Sequence, residues 1–251
     1  MTTEVPQWAA DAATALPYPL LFATVSGAHL YGFASTDSDL DLDLRASHVL
    51  PPDEVVGLRT GPDTLEHSGL RDGVELDIVS HDLLKFAKLL NSRNGYVLEQ
   101  LLSPLVVHTT DVHAELRRLA PGLITSNHAH HYLGFARTQE RLYHGTGQLK
   151  PALYTLRVLL TGIHLMRTGE LECDLRTLGA RLPYVPELIA AKREAEHGPL
   201  PAQAAAWLAA DVPALRAELE DARDETKLPA YADPAAVAAL HDLVVTTRLG
   251  R

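Results

Sequence analysis

Between Ser38 and Arg45 the chain alternates without a break: Asp39-Leu40-Asp41-Leu42-Asp43-Leu44. Period-two alternation is the mark of a half-buried β-strand, because side chains two residues apart point to one face. Asp39, Asp41 and Asp43 therefore share a face, and Leu40, Leu42 and Leu44 take the other. Carboxylates stacked on one strand face repel each other. A bound divalent cation relieves that repulsion, since Mg²⁺ takes hard oxygen ligands and is normally shared with substrate phosphates. The alternative is the solvated face of an edge strand, where charge guards against unwanted pairing.

The pattern has a counterpart further on. Val74-Glu75-Leu76-Asp77-Ile78-Val79 alternates in the same way, with Glu75 and Asp77 on one face and Val74, Leu76 and Ile78 toward the core. Two such strands side by side would gather three carboxylates around one or two cations. The intervening segment holds a break at Pro51-Pro52, a short helix over 53–58 and a strand over 64–70. A hairpin-like turn at Arg71-Asp72-Gly73 follows. Ahead of the aspartates, Leu20 to Val25 reads as a buried strand that feeds a tight turn, Ser26-Gly27-Ala28-His29-Leu30-Tyr31-Gly32. Glycines there let backbone amides approach an anion. After the second strand, Ser80 is expected to cap a helix with the stripe Leu83, Leu84, Phe86, Ala87 and Leu90. Lys85 and Lys88 lie off that stripe, as phosphate ligands or as solvated positions.

These residues form a set. The turn Ser26 to Phe33, the run Ser38-Asp39-Leu40-Asp41, Asp77 and the stretch Asn94-Gly95-Tyr96-Val97-Leu98-Glu99 resemble the nucleotidyltransferase domain of the DNA polymerase beta superfamily. More narrowly they resemble the predicted nucleotidyltransferases associated with RNA-repair operons. The resemblance implies a mixed β-sheet with flanking helices, an α+β nucleotidyltransferase fold. It implies Mg²⁺ or Mn²⁺ held by Asp39, Asp41 and Asp77, which are also the catalytic residues, and an NTP, most plausibly ATP, as substrate. The Asp-x-Asp-x-Asp run allows a second register, Asp41 with Asp43, which a following arginine at Arg45 would match. Ser26, Gly27 and Ala28 would face the nucleotide's phosphates, although Ala28 stands where relatives carry a serine or glycine. Nucleoside monophosphate would pass to an acceptor hydroxyl on an RNA end, a small molecule or a protein. The alternative is a silent nucleotide-binding relative, or a toxin- or antitoxin-type module.

From His113 onward the periodicity is helical, with segments expected at 113–119, 128–143, 151–167, 186–196, 201–225 (interrupted at Pro213) and 234–248. The expected division is a catalytic domain over 1–112 and an all-helical domain over 113–251. The net charge of −10 lacks the basic footprint of a protein that binds long nucleic acid. Residues 128–181 nevertheless carry +3 against −13 for the rest, which suits a docked phosphate. Lys150, Tyr154 and Arg157 fall on one helix face at i, i+4 and i+7, as nucleotide ligands or as partners in internal ion pairs. His128, His130 and His131 offer a weaker metal reading, without cysteine support. The single cysteine, Cys173, allows no intramolecular disulfide and no cysteine-based zinc site. No signal peptide or membrane span is expected, and a cytoplasmic protein is the default.

Overall fold

The computed structural model describes residues 7–34, 41–58, 60–71, 73–194 and 198–250. Asp39 lies outside them, and of Asp41 only the backbone is described. The described elements, in chain order, are α1 (Gln7–Thr14), β1 (Leu20–Val25), α2 (Gly27–Leu30), β2 (Asp41–His48), α3 (Asp53–Val56), β3 (Thr64–Arg71), β4 (Val74–Asp82), α4 (Leu83–Leu90), α5 (Gly95–Leu102), β5 (Val106–His108) and α6 (Asp111–Leu123). Then come α7 (His128–Thr146), α8 (Leu149–Thr168), α9 (Leu175–Leu178), α10 (Val185–Glu194), α11 (Ala202–Glu225) and α12 (Pro234–Leu249). They form two compact units, one from Met1–Gly27, Asp41–Leu123 and Ala232–Arg251, the other from Ala28–Leu40 and Ile124–Tyr231.

The first unit is a mixed five-stranded sheet in the order β3-β4-β2-β1-β5. β2 and β4 run parallel, while the β1–β2, β1–β5 and β3–β4 pairs are antiparallel. The alternation in the sequence explains the layering. Leu42, Leu44, Ala46, Leu76 and Ile78 cluster with Ala23, Val25 and the α1 residues Ala9 and Ala13. At about 1.5–3 kcal/mol for each fully buried large aliphatic side chain, this layer is a main source of the unit's stability. β1 is buried almost throughout, so it reads as a continuous apolar run rather than an alternating one. Its Phe22 stacks on His113 of α6 and meets Phe86 of α4 edge-on.

Helix α4 begins differently from expectation. Ser80 belongs to β4, where its hydroxyl bonds His48 Nδ1 (2.9 Å). Asp82 is the cap, accepting from Leu84 N (3.0 Å). Asp82 also accepts from Leu50 N (3.0 Å) and takes a two-pronged contact from Arg248 of α12 (2.8 and 2.9 Å). The last helix thus belongs to the sheet unit, as does α6. These two pack closely at Gly122, where a Cβ would meet that of Ala236. The strand-to-helix change in periodicity near residue 113 is present, but compactness follows these contacts instead.

The second unit is helical. α8 is its most buried element, and α7 and α11 pack against it. α11 runs unbroken from Ala202 through Pro213 to Glu225, where an interruption is expected. Leu208, Val212, Leu215 and Leu219 recur on its buried side across the proline, and that packing outweighs the single lost backbone bond.

Candidate active site

The parallel pairing of β2 with β4 sets the centre of the site. Its register puts Asp43 opposite Asp77, and Asp41 opposite Glu75. The aspartate brought to Asp77 is therefore the one from the second register. Asp43 and Asp77 are each 42% exposed, so both reach solvent from the sheet. Arg45, two residues along β2 and on the same face, lies between them. Its guanidinium is 3.2 Å from Asp77 Oδ2 and 3.6 Å from Asp43 Oδ1.

Three further contacts fix this arrangement. Arg45 Nη1 donates to the Leu44 carbonyl (2.9 Å), and its Nε donates to the Tyr96 hydroxyl (3.2 Å). Tyr96 sits in the first turn of α5, whose cap Asn94 accepts from Tyr96 N (3.1 Å) and Val97 N (3.4 Å). Ser68 of β3 donates to Asp77 Oδ1 (3.1 Å). Burial works against the Arg45 charge, but the Tyr96 contact and the two carboxylates outweigh it and hold the guanidinium above its usual range. Tyr96 and Ser68 are not among the expected site residues, and Arg45 is expected only as the arginine that follows the second register. The signal for Arg45 was available, since Asp-x-Arg on a strand places both side chains on one face.

The turn after β1 meets the same carboxylate. Ser26 N donates to the Asp43 carbonyl (2.9 Å). Gly27 takes φ +65, and a Cβ there would collide with the Asp43 carboxylate. Ser26 itself is buried, with no hydrogen-bond partner for its hydroxyl. The chain passes from the sheet unit to the helical unit between Gly27 and Ala28.

Within the helical unit, Tyr31 and Phe33 of the same turn pack edge-on to Tyr154 of α8, and Tyr154 also meets Phe135 of α7 edge-on. Arg157, only 1% exposed, lays its guanidinium over the Tyr31 ring at 3.8 Å. The Lys150, Tyr154 and Arg157 face is thus an aromatic cluster around a buried cation at its two C-terminal positions, while Lys150 is half-buried. His128 is buried, and its Nδ1 accepts from Thr125 N (3.1 Å), a helix-start role rather than a metal role. Lys85 pairs with Asp63 (2.9 Å) and Lys88 is exposed.

The family model for RlaP, described as "RNA repair pathway DNA polymerase beta family", matches residues 3–246. The chain belongs to this family. An uncharacterised protein of Methanocaldococcus jannaschii is 28% identical over 156 residues, which are 61% of this chain and 63% of that protein. The chain therefore spans less than two thirds of that relative's length. A nucleotidyltransferase-like protein from Exiguobacterium sibiricum superposes at a TM-score of 0.35 with 10% identity, covering 96% of this chain and 75% of that one. At that score the likeness carries no weight for the site. The family is of the polymerase-beta type. No helix among the described residues is long and apolar enough to cross a membrane.

A divalent cation belongs to the chemistry of such a family, and the donor set fits one. Asp43 and Asp77 present hard oxygens that already converge on a single positive group. Among the described residues no group of three or more His, Cys, Asp or Glu side chains is arranged to hold a metal ion. Any third donor from the aspartate run would be Asp41 or Asp39, whose side chains lie outside the description.

Proposed function

We propose that this protein transfers a nucleoside monophosphate from an NTP, ATP by preference, to an acceptor hydroxyl with release of pyrophosphate. The in-register pair Asp43 and Asp77 is the observation that carries this reading. Asp41, Asp43 and Asp77 are assigned as the ligand set for Mg²⁺ or Mn²⁺, with Asp39 and Asp41 as the other register. When bound, the cation neutralises charge on the triphosphate and on the attacking and leaving oxygens of an in-line displacement. Asp77, at the sheet surface beside Ser68, is assigned as the acceptor of the proton of an incoming hydroxyl. Gly27 lets the turn backbone approach the carboxylates without a side chain in between, and the nucleotide's phosphates are assigned to the backbone of Gly27 and Ala28. Within the helical unit, Tyr154 and Arg157 support the turn through Tyr31.

The acceptor is assigned as an RNA end, in keeping with the family's description. The assay combines α-labelled ATP, Mg²⁺ or Mn²⁺ and RNA oligonucleotides with free terminal hydroxyls, with label transfer and pyrophosphate as readouts. Asp41→Asn, Asp43→Asn and Asp77→Asn should each cut transfer by at least about a hundredfold, the loss expected for a main transition-state stabiliser. Transfer that survives Asp43→Asn and Asp77→Asn would sink the assignment. A silent nucleotide-binding relative is favoured by Ala28 and by the inward-facing Ser26 hydroxyl; calorimetric binding of ATP with Mg²⁺ but no turnover on any acceptor would select it. The protein is assigned to the cytoplasm, where NTPs are available.

A further inference from the structure

We infer that Arg45 is a tethered counter-ion that competes with the divalent cation for Asp43 and Asp77, and that the Tyr96 hydroxyl sets the strength of this competition by holding the guanidinium in place. The inference rests on the reading of Asp43 and Asp77 as cation ligands, and adds a means of regulating them. The geometry is specific. One guanidinium reaches both carboxylates, at 3.2 and 3.6 Å. It is pinned at two other points, the Leu44 carbonyl and the Tyr96 hydroxyl. An arginine in such a place satisfies the repulsion that stacked aspartates would otherwise feel. It also occupies the oxygens a hard cation needs, so that the metal must displace it. The Arg45 side chain is only 14% exposed, so it has no ready escape into solvent and stays close to the pair when displaced. Tyr96 is itself 37% exposed, and stands where an incoming substrate can take its hydroxyl away from Arg45 Nε. Metal loading is thereby linked to occupation of the Tyr96 position: a group that engages the hydroxyl loosens the guanidinium and strengthens cation binding.

The test is a Mn²⁺ titration of the full chain without nucleotide, followed by the paramagnetic resonance signal of free Mn²⁺. Arg45→Met should bind Mn²⁺ about tenfold tighter than the wild type, the scale of an ordinary coupling within one site. Tyr96→Phe leaves the ring and removes only the hydroxyl, and should tighten binding by a smaller factor, about threefold on the same scale. It also guards against poor folding of the Arg45 variant. Adding Asp77→Asn to Arg45→Met should abolish the gain. Mn²⁺ affinity that is equal or weaker in both Arg45→Met and Tyr96→Phe overturns the inference. If Asp77→Asn alone weakens Mn²⁺ binding while those two variants do not strengthen it, the ligand reading stands and only the counter-ion fails. If Asp77→Asn changes nothing, the ligand reading fails and takes the counter-ion with it.

Discussion

The Asp43 carboxylate packs against the bare Cα of Gly27, so the turn after β1 and the aspartate strand fit together only because residue 27 has no side chain. Two independent costs follow for Gly27→Ala. Its φ of +65 is one that a side-chain-bearing residue adopts at about 1–2 kcal/mol, and the new methyl would push the carboxylate aside. We expect a stability loss of about 2 kcal/mol in urea denaturation. Nucleotide transfer should fall by about a hundredfold, as for a misplaced catalytic group.

Arg248 and Asp82 form a buried pair, 10% and 5% exposed. Removing one partner leaves the other charged and out of water. Arg248→Met should therefore cost about 3–5 kcal/mol. The double variant Asp82→Asn with Arg248→Met should recover part of that loss, read from the midpoints of the two urea curves. No recovery would mean that the guanidinium acts by packing alone.

Two interior helix glycines should respond with opposite sign. At Gly162 of α8, a Cβ would come within 2.9 Å of both the Tyr132 Cβ and a Leu219 methyl. The Tyr132 atom sits next to its backbone and cannot swing aside, so strain of about 1–3 kcal/mol exceeds the roughly 1 kcal/mol gained in helix propensity. At Gly134 of α7 nothing lies within 4 Å, and alanine should stabilise by about 0.5–1 kcal/mol. Melting temperatures of the two alanine variants decide the matter.

Burial pushes the His128 imidazole down to about 4 from its ordinary 6.5. The unfolded chain binds this proton more readily than the folded one, so stability is full above the unfolded value and is lost as pH falls from 6.5 toward 4. The contribution is up to roughly 3 kcal/mol at 1.36 kcal/mol per pH unit. His48, His81 and His113 are lowered by burial too and act in the same sense. His128→Asn, which keeps an acceptor for Thr125 N, should flatten the dependence of urea stability on pH between 7 and 5. An unchanged slope would exclude His128 as a source.

Much of the fold was legible because it is written in short-range periodicity. Leu20–Val25, the alternating run into β2, Val74–Val79 and six of the seven described C-terminal helices, all but the one-turn α9, announce themselves by spacing. What stayed hidden depends on partners far away in sequence. Asp39, Asp41 and Asp43 are equivalent to a period-two pattern, and the pairing with β4 distinguishes Asp43. Ser80 and Asp82 are both good caps, and the choice falls to Asp82 because β4 continues beside β2 as far as His48. α1 and the three-residue β5 lack strong caps or length of their own and exist by packing on β1. Arg157 has the spacing of a ligand face, yet the rings around it in the helical unit take up its charge.

The course of the chain has a consequence for how the molecule is made. The sheet unit opens near the start of the chain and closes with α12, while Ile124–Tyr231 builds the other unit in between. On the ribosome, Asp82 emerges long before Arg248, its buried partner, and waits for it through the synthesis of an entire helical unit. The contact order of the carboxylate-bearing unit is therefore high, although its β1–β2, β2–β4 and β3–β4 pairings are short-range or moderate. Its completion waits for the last turn of α12, so a nascent chain carries the aspartates well before it carries a finished sheet unit.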